Sequence, residues 1–399
     1  MSVRISKFLS LALRHDPGRI GIVLDDAGWT SVAALLAACA AHGVSITREE
    51  LAAIVASSDK QRFALSPDGE RIRANQGHSV EVDLQLSPAD PPAMRLGTGD
   101  PSRGVTSAFA AARSGTGPNQ LARIVLAEHT LAAVESGRYV NTRHEIVDIE
   151  RSVATATART VLHELGEPLR APTRAEPTVI EVTGESTIEA VIRLHARSGG
   201  HLACLNFASA KHPGGGFLGG AQAQEESLAR SSALYPCLLR QPSHYERNRR
   251  NGSAHYLDLA IFSPYVPFFR DDAGGWLDRP VLASVVTCAA PNASELRQQG
   301  TFAAAAVEVT LRRRAAFVLA VATHHGVQRF VLGAWGAGVF GNDPAMVADA
   351  FGALLEGPFA NAFAEVVFAI HGGAGQPNHD AFADRFARFA SSSAAAPDR

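Results

Sequence analysis

Between Asn206 and Glu226 the chain reads Asn-Phe-Ala-Ser-Ala-Lys-His-Pro-Gly-Gly-Gly-Phe-Leu-Gly-Gly-Ala-Gln-Ala-Gln-Glu-Glu. A loop poor in side chains is thus joined to two adjacent carboxylates. Glycines let backbone N–H groups approach a ligand closely and permit the φ > 0 turns that aim several donors at an anion. A carboxylate beside such a loop is placed to handle a proton on whatever the loop holds. Phosphate or ribose on one side and acid chemistry on the other point to cleavage of a nucleotide–sugar bond. The competing reading is a glycine-rich turn before a helix that opens with two solvated glutamates. The closeness of Gln224-Glu225-Glu226 to Gly214-Gly215-Gly216 favours the chemical one.

Two neighbouring acids on a turn or helix start face different directions, so they need not share one task. One can act as general acid or position water while the other grips ribose hydroxyls. A glycosidic bond breaks through an oxocarbenium-like state, which a nearby negative charge also stabilises. Asn206 adds a polar contact, whereas Lys211 reads as solvated. A second glycine loop, Gly333-Ala-Trp-Gly-Ala-Gly-Val-Phe-Gly-Asn342, precedes a helix opened by Asp343-Pro344. A strand–glycine loop–helix unit combines backbone donors with the helix N-terminal dipole and suits a diphosphate. Phe340 within it either stacks on a ribose or base or packs into the core. The aromatic, proline-rich run Ser263–Asp271 reads as a loop that walls an adenine pocket or simply packs. His324, His325 and His371 read as structural, no metal-ligand or Ser-His-Asp spacing exists, and no cofactor is called for.

Elements must hold these loops. Val179–Val182, Leu202–Phe207, Leu282–Cys288, Arg329–Leu332 and Ala364–Ile370 read as strands. Ala122–Ser136, Ile149–Leu165, Thr187–Ser198, Ala303–His325 and Pro344–Leu355 read as helices. Strands alternating with helices imply a layered α/β sheet, with ligands bound where strands give way to loops. Residues 120–390 therefore form one large domain, followed by a tail at 391–399. Residues 93–119, rich in Gly and Ser and without sustained periodicity, read as a linker.

Residues 1–92 read as a separate lobe. Ser6–Arg14 has helical apolar spacing, Thr47-Arg-Glu-Glu50 is a capping box, and Arg62–Leu65 with Arg71–Ala74 frames a hairpin around Ser66-Pro-Asp-Gly69. Helices followed by a hairpin resemble a winged helix. Arg14, His15 and Arg62, with Arg71 and Arg73, are cationic donors suited to a phosphate; the bland alternative is a charged helix end.

The chain has 399 residues, 46% hydrophobic and 19% charged, with a net charge of −2. No bulk field draws nucleic acid or an anionic membrane, so a nucleic-acid partner needs a local pocket. Cys39, Cys204, Cys237 and Cys288 are scattered, with neither metal spacing nor a disulfide framework. The start lacks an apolar signal core and no long apolar run exists, so a cytoplasmic protein with no membrane contact is expected. The sequence sets no oligomeric state.

Two family resemblances follow. Residues 120–390 resemble the microbial type of poly(ADP-ribose) glycohydrolase, a macrodomain family. The match rests on Gly214-Gly-Gly216, a seven-residue spacer and Gln224-Glu-Glu226, with support from Asn206-Phe-Ala-Ser-Ala, Ser263–Arg270, Ala289-Ala-Pro-Asn292 and Gly333–Asn342. That resemblance implies a three-layer α/β/α sandwich with a mixed sheet, ADP-ribose in a cleft and metal-independent hydrolysis. It implies Glu226 as the catalytic acid, Glu225 as the residue that orients the ribose, and Asn206, Gly214, Gly215, Gly216 and Gln224 as ADP-ribose contacts. Gly333, Gly336, Ala337, Gly338, Val339, Phe340 and Gly341 would form the diphosphate loop.

Residues 5–92 are similar to the N-terminal lobe of the RNA 2′-phosphotransferase (KptA) family. The strings are Ser6-Lys-Phe-Leu-Ser-Leu-Ala-Leu-Arg-His15, Asp59-Lys-Gln-Arg-Phe63 and Ile72-Arg-Ala-Asn-Gln-Gly-His-Ser79. Arg14, His15 and Arg62 fall where that family engages an RNA 2′-phosphate. The family's second lobe starts near a Tyr-His-Gly-Thr string, and here Met94-Arg-Leu-Gly-Thr98 lacks the histidine. NAD-dependent phosphate transfer is therefore not expected. The pairing implies hydrolysis of ADP-ribose from an RNA phosphate. A general poly- or mono-ADP-ribosyl-protein glycohydrolase with an RNA-localising lobe, and a non-catalytic reader of ADP-ribose and phospho-RNA, are the alternatives.

Overall fold

The computed structural model describes residues 120–167, 169, 176–197 and 199–393 of the larger part. Of the N-terminal part it describes 13, 22, 24–25, 29–41, 46–48, 50–51, 55, 63–66 and 68–74. The chain divides into two compact units, Met1–Asp100 and Pro101–Arg399.

In the first unit, strand β1 (Thr30–Ser31) leads into helix α1 (Val32–Ala41), and β2 (Phe63–Leu65) and β3 (Arg71–Ala74) form a hairpin. The three strands pair antiparallel in the order β1-β3-β2. The turn closes at Gly69, with φ of 72°, whose N–H donates to the Ser66 carbonyl at 2.8 Å. The capping box forms as its spacing requires. Thr47 Oγ1 accepts from the Glu50 N–H at 3.1 Å, and the Glu50 carboxylate accepts from the Thr47 N–H at 2.9 Å. Leu13, Ile22, Val32, Leu35, Cys39, Leu51 and Ile72 make its core.

The second unit begins with α2 (Gln120–Ser136), a hairpin of β4 (Arg138–Val140) and β5 (Ile146–Asp148), and α3 (Glu150–Ala158). There follow β6 (Val161–Glu164), β7 (Val179–Thr183), α4 (Thr187–Ala196), β8 (Leu202–Phe207), α5 (Gln224–Ser231), α6 (Leu234–Leu239) and α7 (Pro242–Asn251). Then come β9 (Leu259–Arg270), β10 (Trp276–Cys288), α8 (Ala293–Gln298), α9 (Ala304–His324), β11 (Arg329–Leu332), α10 (Pro344–Glu356), β12 (Glu365–Ala369) and α11 (Pro377–Ser393). Seven strands form one mixed sheet in the order β6-β9-β10-β8-β11-β12-β7. The run from β10 to β7 is parallel, and β9 and β6 complete the sheet antiparallel.

The central strands are apolar on both faces, as a sheet covered twice requires. Alternation sends Ala203, Leu205, Phe330, Leu332, Val366 and Phe368 into one core and Cys204, Val331 and Val367 into the other. Helices α9, α10 and α11 cover the first through Leu311, Val318, Phe351 and Phe382; α4, α5 and α6 cover the second through Leu194, Leu228 and Leu234. Each such side chain contributes roughly 1.5–3 kcal/mol by leaving water. The result is the three-layer sandwich.

Two local expectations change. The helix expected over Ile149–Leu165 stops at Ala158, because Val161–Glu164 pairs with β9 from Val161–Phe262 to Glu164–Leu259. The aromatic run Ser263–Asp271 is strand for all but its last residue. Pro264 is accommodated where the pairing with β10 slips between Ala283 and Val285 and Tyr265 takes a φ of 49°, while Pro267 stands opposite Leu282 in the ladder. Val266, Phe268 and Phe269 are buried, and Tyr265 stacks on His201, just before the start of β8. The run therefore packs, and its one half-exposed aromatic lies at the end of the sheet away from the glycine loops.

Candidate active site

Strands β8 and β11 are parallel neighbours, and each runs out at the same end of the sheet into a glycine loop. Such a place, outside the carboxyl ends of parallel strands, is where open α/β sheets bind ligands. The first loop reverses at Gly214 and Gly215, with φ of 70° and 59°, closing through the Gly215 N–H to the His212 carbonyl at 3.1 Å. Phe217 then plugs into Ala127, Ala229 and Tyr235 and pins the loop from beneath. From the far side α2 holds it as well. Gln120 Nε2 donates to the Gly219 carbonyl at 2.9 Å and Arg123 Nε to the Gly220 carbonyl at 2.7 Å. Sequence reasoning found α2 but not this clamp, because partners 97 and 99 residues apart leave no local signal.

The three residues that open α5 do three different things. Gln224 is engaged within the fold: it accepts from the Phe207 N–H at 2.9 Å and donates to the Leu205 carbonyl at 2.7 Å and to Thr187 Oγ1 at 3.1 Å. It ties the end of β8 to the starts of α5 and α4. Glu225 is 2% exposed and accepts from Asn206 Nδ2 at 3.2 Å and from the Ser209 N–H at 2.7 Å. Burial, helped by the charge of neighbouring Glu226, pushes its carboxyl up to about 8 against the lowering by those two donors. Glu226 accepts from the Gly216 N–H at 2.9 Å.

Both carboxylates converge on Gly215. A Cβ there would stand 2.3 Å from Glu226 Oε1 and 3.1 Å from Glu225 Oε2. Asn206, fully buried, also donates to Thr287 Oγ1 at 3.3 Å, and its Oδ1 has no partner among the described residues. Lys211, expected to be solvated, forms an ion pair with Glu295 at 3.1 Å.

The second loop is braced from below and behind. Trp335 is fully buried and donates through Nε1 to the Cys288 carbonyl at 2.9 Å. Asn342 Nδ2 bridges the Pro291 and Gly336 carbonyls at 2.8 and 3.1 Å. Gly333 lies against the Ala369 carbonyl, where a Cβ would come within 2.7 Å. Gly336 and Gly341 have φ of 76° and 64°. Phe340 is half-buried against Tyr256, centroids 6.0 Å apart, and its carbonyl accepts from the Ser294 N–H at 2.9 Å. Gly338 has open space at its Cα, Val339 is 79% exposed, and Asp343 caps α10 by accepting from the Ala345 N–H. Ala337 completes the turn, its N–H donating to the Ala334 carbonyl.

His163 Nε2 meets His325 Nε2 at 2.8 Å beside His324, and among the described residues no group of His, Cys, Asp and Glu could hold a metal ion. Arg14, His15 and Arg62 lie outside the described residues. Of the other first-unit cations, Arg73 and Arg71 lie over the Trp29 ring at 4.6 and 5.5 Å. Among the described residues no helix is long and apolar enough to cross a membrane.

An acid pair under one glycine loop, with a second glycine loop on the adjacent parallel strand, defines a macrodomain-type hydrolase of ADP-ribosyl bonds. Comparison with known proteins agrees. Residues 127–271 match the model of the microbial-type PARG catalytic domain, and residues 1–102 match the RNA 2′-phosphotransferase, Tpt1/KptA family. The chain is similar to the crystal structure of poly(ADP-ribose) glycohydrolase from Thermomonospora curvata. Identity is 48% and the TM-score 0.64, over 66% of this chain and 99% of that one. It is also similar to the Deinococcus radiodurans glycohydrolase in complex with ADP-ribose, at 43% identity and a TM-score of 0.56, over 59% and 97%.

The N-terminal part is 48% identical over 139 residues to a probable RNA 2′-phosphotransferase of Hahella chejuensis, covering 35% of this chain and 70% of that protein. It is 54% identical over 101 residues to that of Trichormus variabilis, covering 25% and 56%. The chain spans about half the length of most of the curated phosphotransferases it matches. The chain belongs to the microbial-type poly(ADP-ribose) glycohydrolase family through its larger unit, joined to a Tpt1/KptA-family lobe. It is an ADP-ribosyl glycohydrolase.

Proposed function

We propose that the protein hydrolyses ADP-ribose from a nucleic-acid phosphate, most directly an RNA 2′-phosphate. The observation that carries this reading is the pairing, in one chain, of a Tpt1/KptA match at residues 1–102 with the acid-bearing cleft of a glycohydrolase. The resemblance to the phosphotransferases implies chemistry that passes through RNA carrying ADP-ribose on its 2′-phosphate. A hydrolase tethered to the phosphate-reading lobe would meet that adduct at raised effective concentration.

In this reading the second glycine loop, Gly333–Gly341, receives the diphosphate on its backbone N–H groups and the N-terminal end of α10. Protonated Glu225 and Asn206 hold ribose hydroxyls. The bond from C1″ to the phosphate oxygen breaks, and positive charge grows on the ring. Glu226, fixed by Gly216, stabilises that charge and takes the proton of the attacking water, whose oxygen becomes the C1″ hydroxyl. The products are ADP-ribose and the RNA phosphate. Phosphate leaves more readily than a serine alkoxide, so protonation of the leaving oxygen is less demanding.

The test is a side-by-side hydrolysis assay of ADP-ribose on RNA 2′-phosphate, on RNA or DNA 5′-phosphate, on a serine peptide and in polymer. RNA 2′-phosphate should be released fastest. Arg14→Ala with Arg62→Ala should slow that substrate and leave the peptide alone. Equal effects on both, or none, remove the first unit from the reaction.

A further inference from the structure

The glycine-loop end of the sheet extends beyond β10. Cys288 pairs with Phe207, Thr287 with Ile261, and Leu259 with Glu164, so the start of β9 and the end of β6 lie at the same end as the cleft. Two arginines of helix α7 help to fasten it there. Arg247 binds the Glu164 carboxylate through both terminal nitrogens, at 2.9 Å for Nη2, and Arg249 Nη1 donates to the Lys211 carbonyl at 2.6 Å. The segment Arg240–Arg250 holds four arginines against one glutamate, on a chain whose net charge is −2. The basic charge is therefore local, not a property of the whole surface.

Not all of it is available. Arg247 is committed to Glu164, and Lys211 to Glu295. Arg249 and His212 are exposed. Arg250 is 76% exposed, and Glu246, with which it pairs, is 3.5 Å away and half exposed, an ion pair that competes poorly with a phosphate. Arginines in a last turn also complement the helix dipole, which would explain their presence at the end of α7. It does not explain why Arg249 reaches across to the loop that carries His212 and, four residues on, Gly216. Because Gly216 fixes Glu226, whatever is attached at C1″ departs beside this loop.

We infer that His212, Arg249 and Arg250 form a basic rim on the cleft that binds the phosphate-bearing chain attached to the scissile ribose. This rests on the proposed cleavage at C1″, and it names the surface that takes the leaving chain. The chemistry fits RNA and poly(ADP-ribose) alike, since both are phosphate polymers.

The experiment uses the full chain and three substrates: RNA bearing ADP-ribose on its 2′-phosphate, poly(ADP-ribose), and ADP-ribose 1″-phosphate, which has the bond but no chain. Arg249→Ala with Arg250→Ala should lower the ratio of kcat/KM for the chain substrate to that for the small one about tenfold at low salt. The plot of log kcat/KM against log salt should flatten by about 0.7 for each phosphate that is no longer neutralised. Arg250→Lys in place of Ala should restore most of the loss. An equal fall on the small substrate would mean that the arginines only shape the loop, and an unchanged ratio on both polymers would overturn the rim. Wild-type cleavage of the polymer but not of the RNA, with arginine-dependent salt slope, would keep the rim and reject the RNA substrate. RNA cleavage with no arginine dependence would do the reverse.

Discussion

The Glu226 carboxylate accepts a hydrogen bond from the Gly216 N–H at 2.9 Å, so the outer acid is held by the backbone of the loop ten residues before it. Glu226→Gln keeps an acceptor for that N–H and removes the ability to exchange a proton. Release of ADP-ribose should fall by about 10²–10⁴ in kcat. Affinity for ADP-ribose, measured by calorimetry, should stay within a few fold. Retained turnover would take the chemistry away from Glu226.

Gly215 is the position where a single methyl group should separate stability from catalysis. Its φ is 59°, and an added Cβ would stand 2.3 Å from Glu226 Oε1 and 2.9 Å from Glu226 Cδ. Gly215→Ala forces the carboxylate aside and costs about 1–2 kcal/mol in backbone strain. We expect a loss of about 10² in kcat with a modest drop in melting temperature, since the core beneath the loop is untouched. Thermal unfolding beside single-turnover kinetics checks both halves, and wild-type turnover in the folded variant would rule out the assigned crowding.

Glu225 sets a pH dependence of stability. Burial raises its carboxyl from 4.5 to about 8, so across that interval the folded chain holds a proton that the unfolded chain has released. The folded state therefore binds more protons, and its stability falls as the pH rises from about 4.5 to about 8. Glu225→Gln removes this contribution and should flatten the curve by up to about 1.4 kcal/mol per pH unit. Denaturation of both proteins between about pH 5 and about pH 8 measures the difference. Parallel curves would show that Glu225 is ionised in the folded protein throughout.

The acid pair and both glycine loops were legible because their residues are adjacent in the chain, and glycine marks its own backbone requirement. Gln224 was legible as part of the motif but not in its task, which is to tie Phe207, Leu205 and Thr187 together. That task depends on where β8 and α4 end in space. Strand β9 was hidden because Pro264 and Pro267 speak against a strand; the slipped pairing with β10 accommodates Pro264, and Pro267 stands opposite Leu282 in the ladder. The strand Val161–Glu164 was hidden by the helix before it, since tertiary pairing with β9 overrides local preference. Arg123 and Gln120 gave no sign of gripping the glycine loop, because nothing local links them to Gly219 and Gly220.

The partner that fixes Glu226 is a peptide N–H, a group every residue except proline carries. No side-chain replacement elsewhere in the protein can delete it. Drift in the surrounding sequence can therefore be wide while the placing of Glu226 persists, provided the chain between Gly216 and Glu226 keeps its length and Gly214 and Gly215 keep their left-handed reversal. Insertions and deletions in that short interval, more than substitutions, are the changes that this enzyme has least freedom to accept.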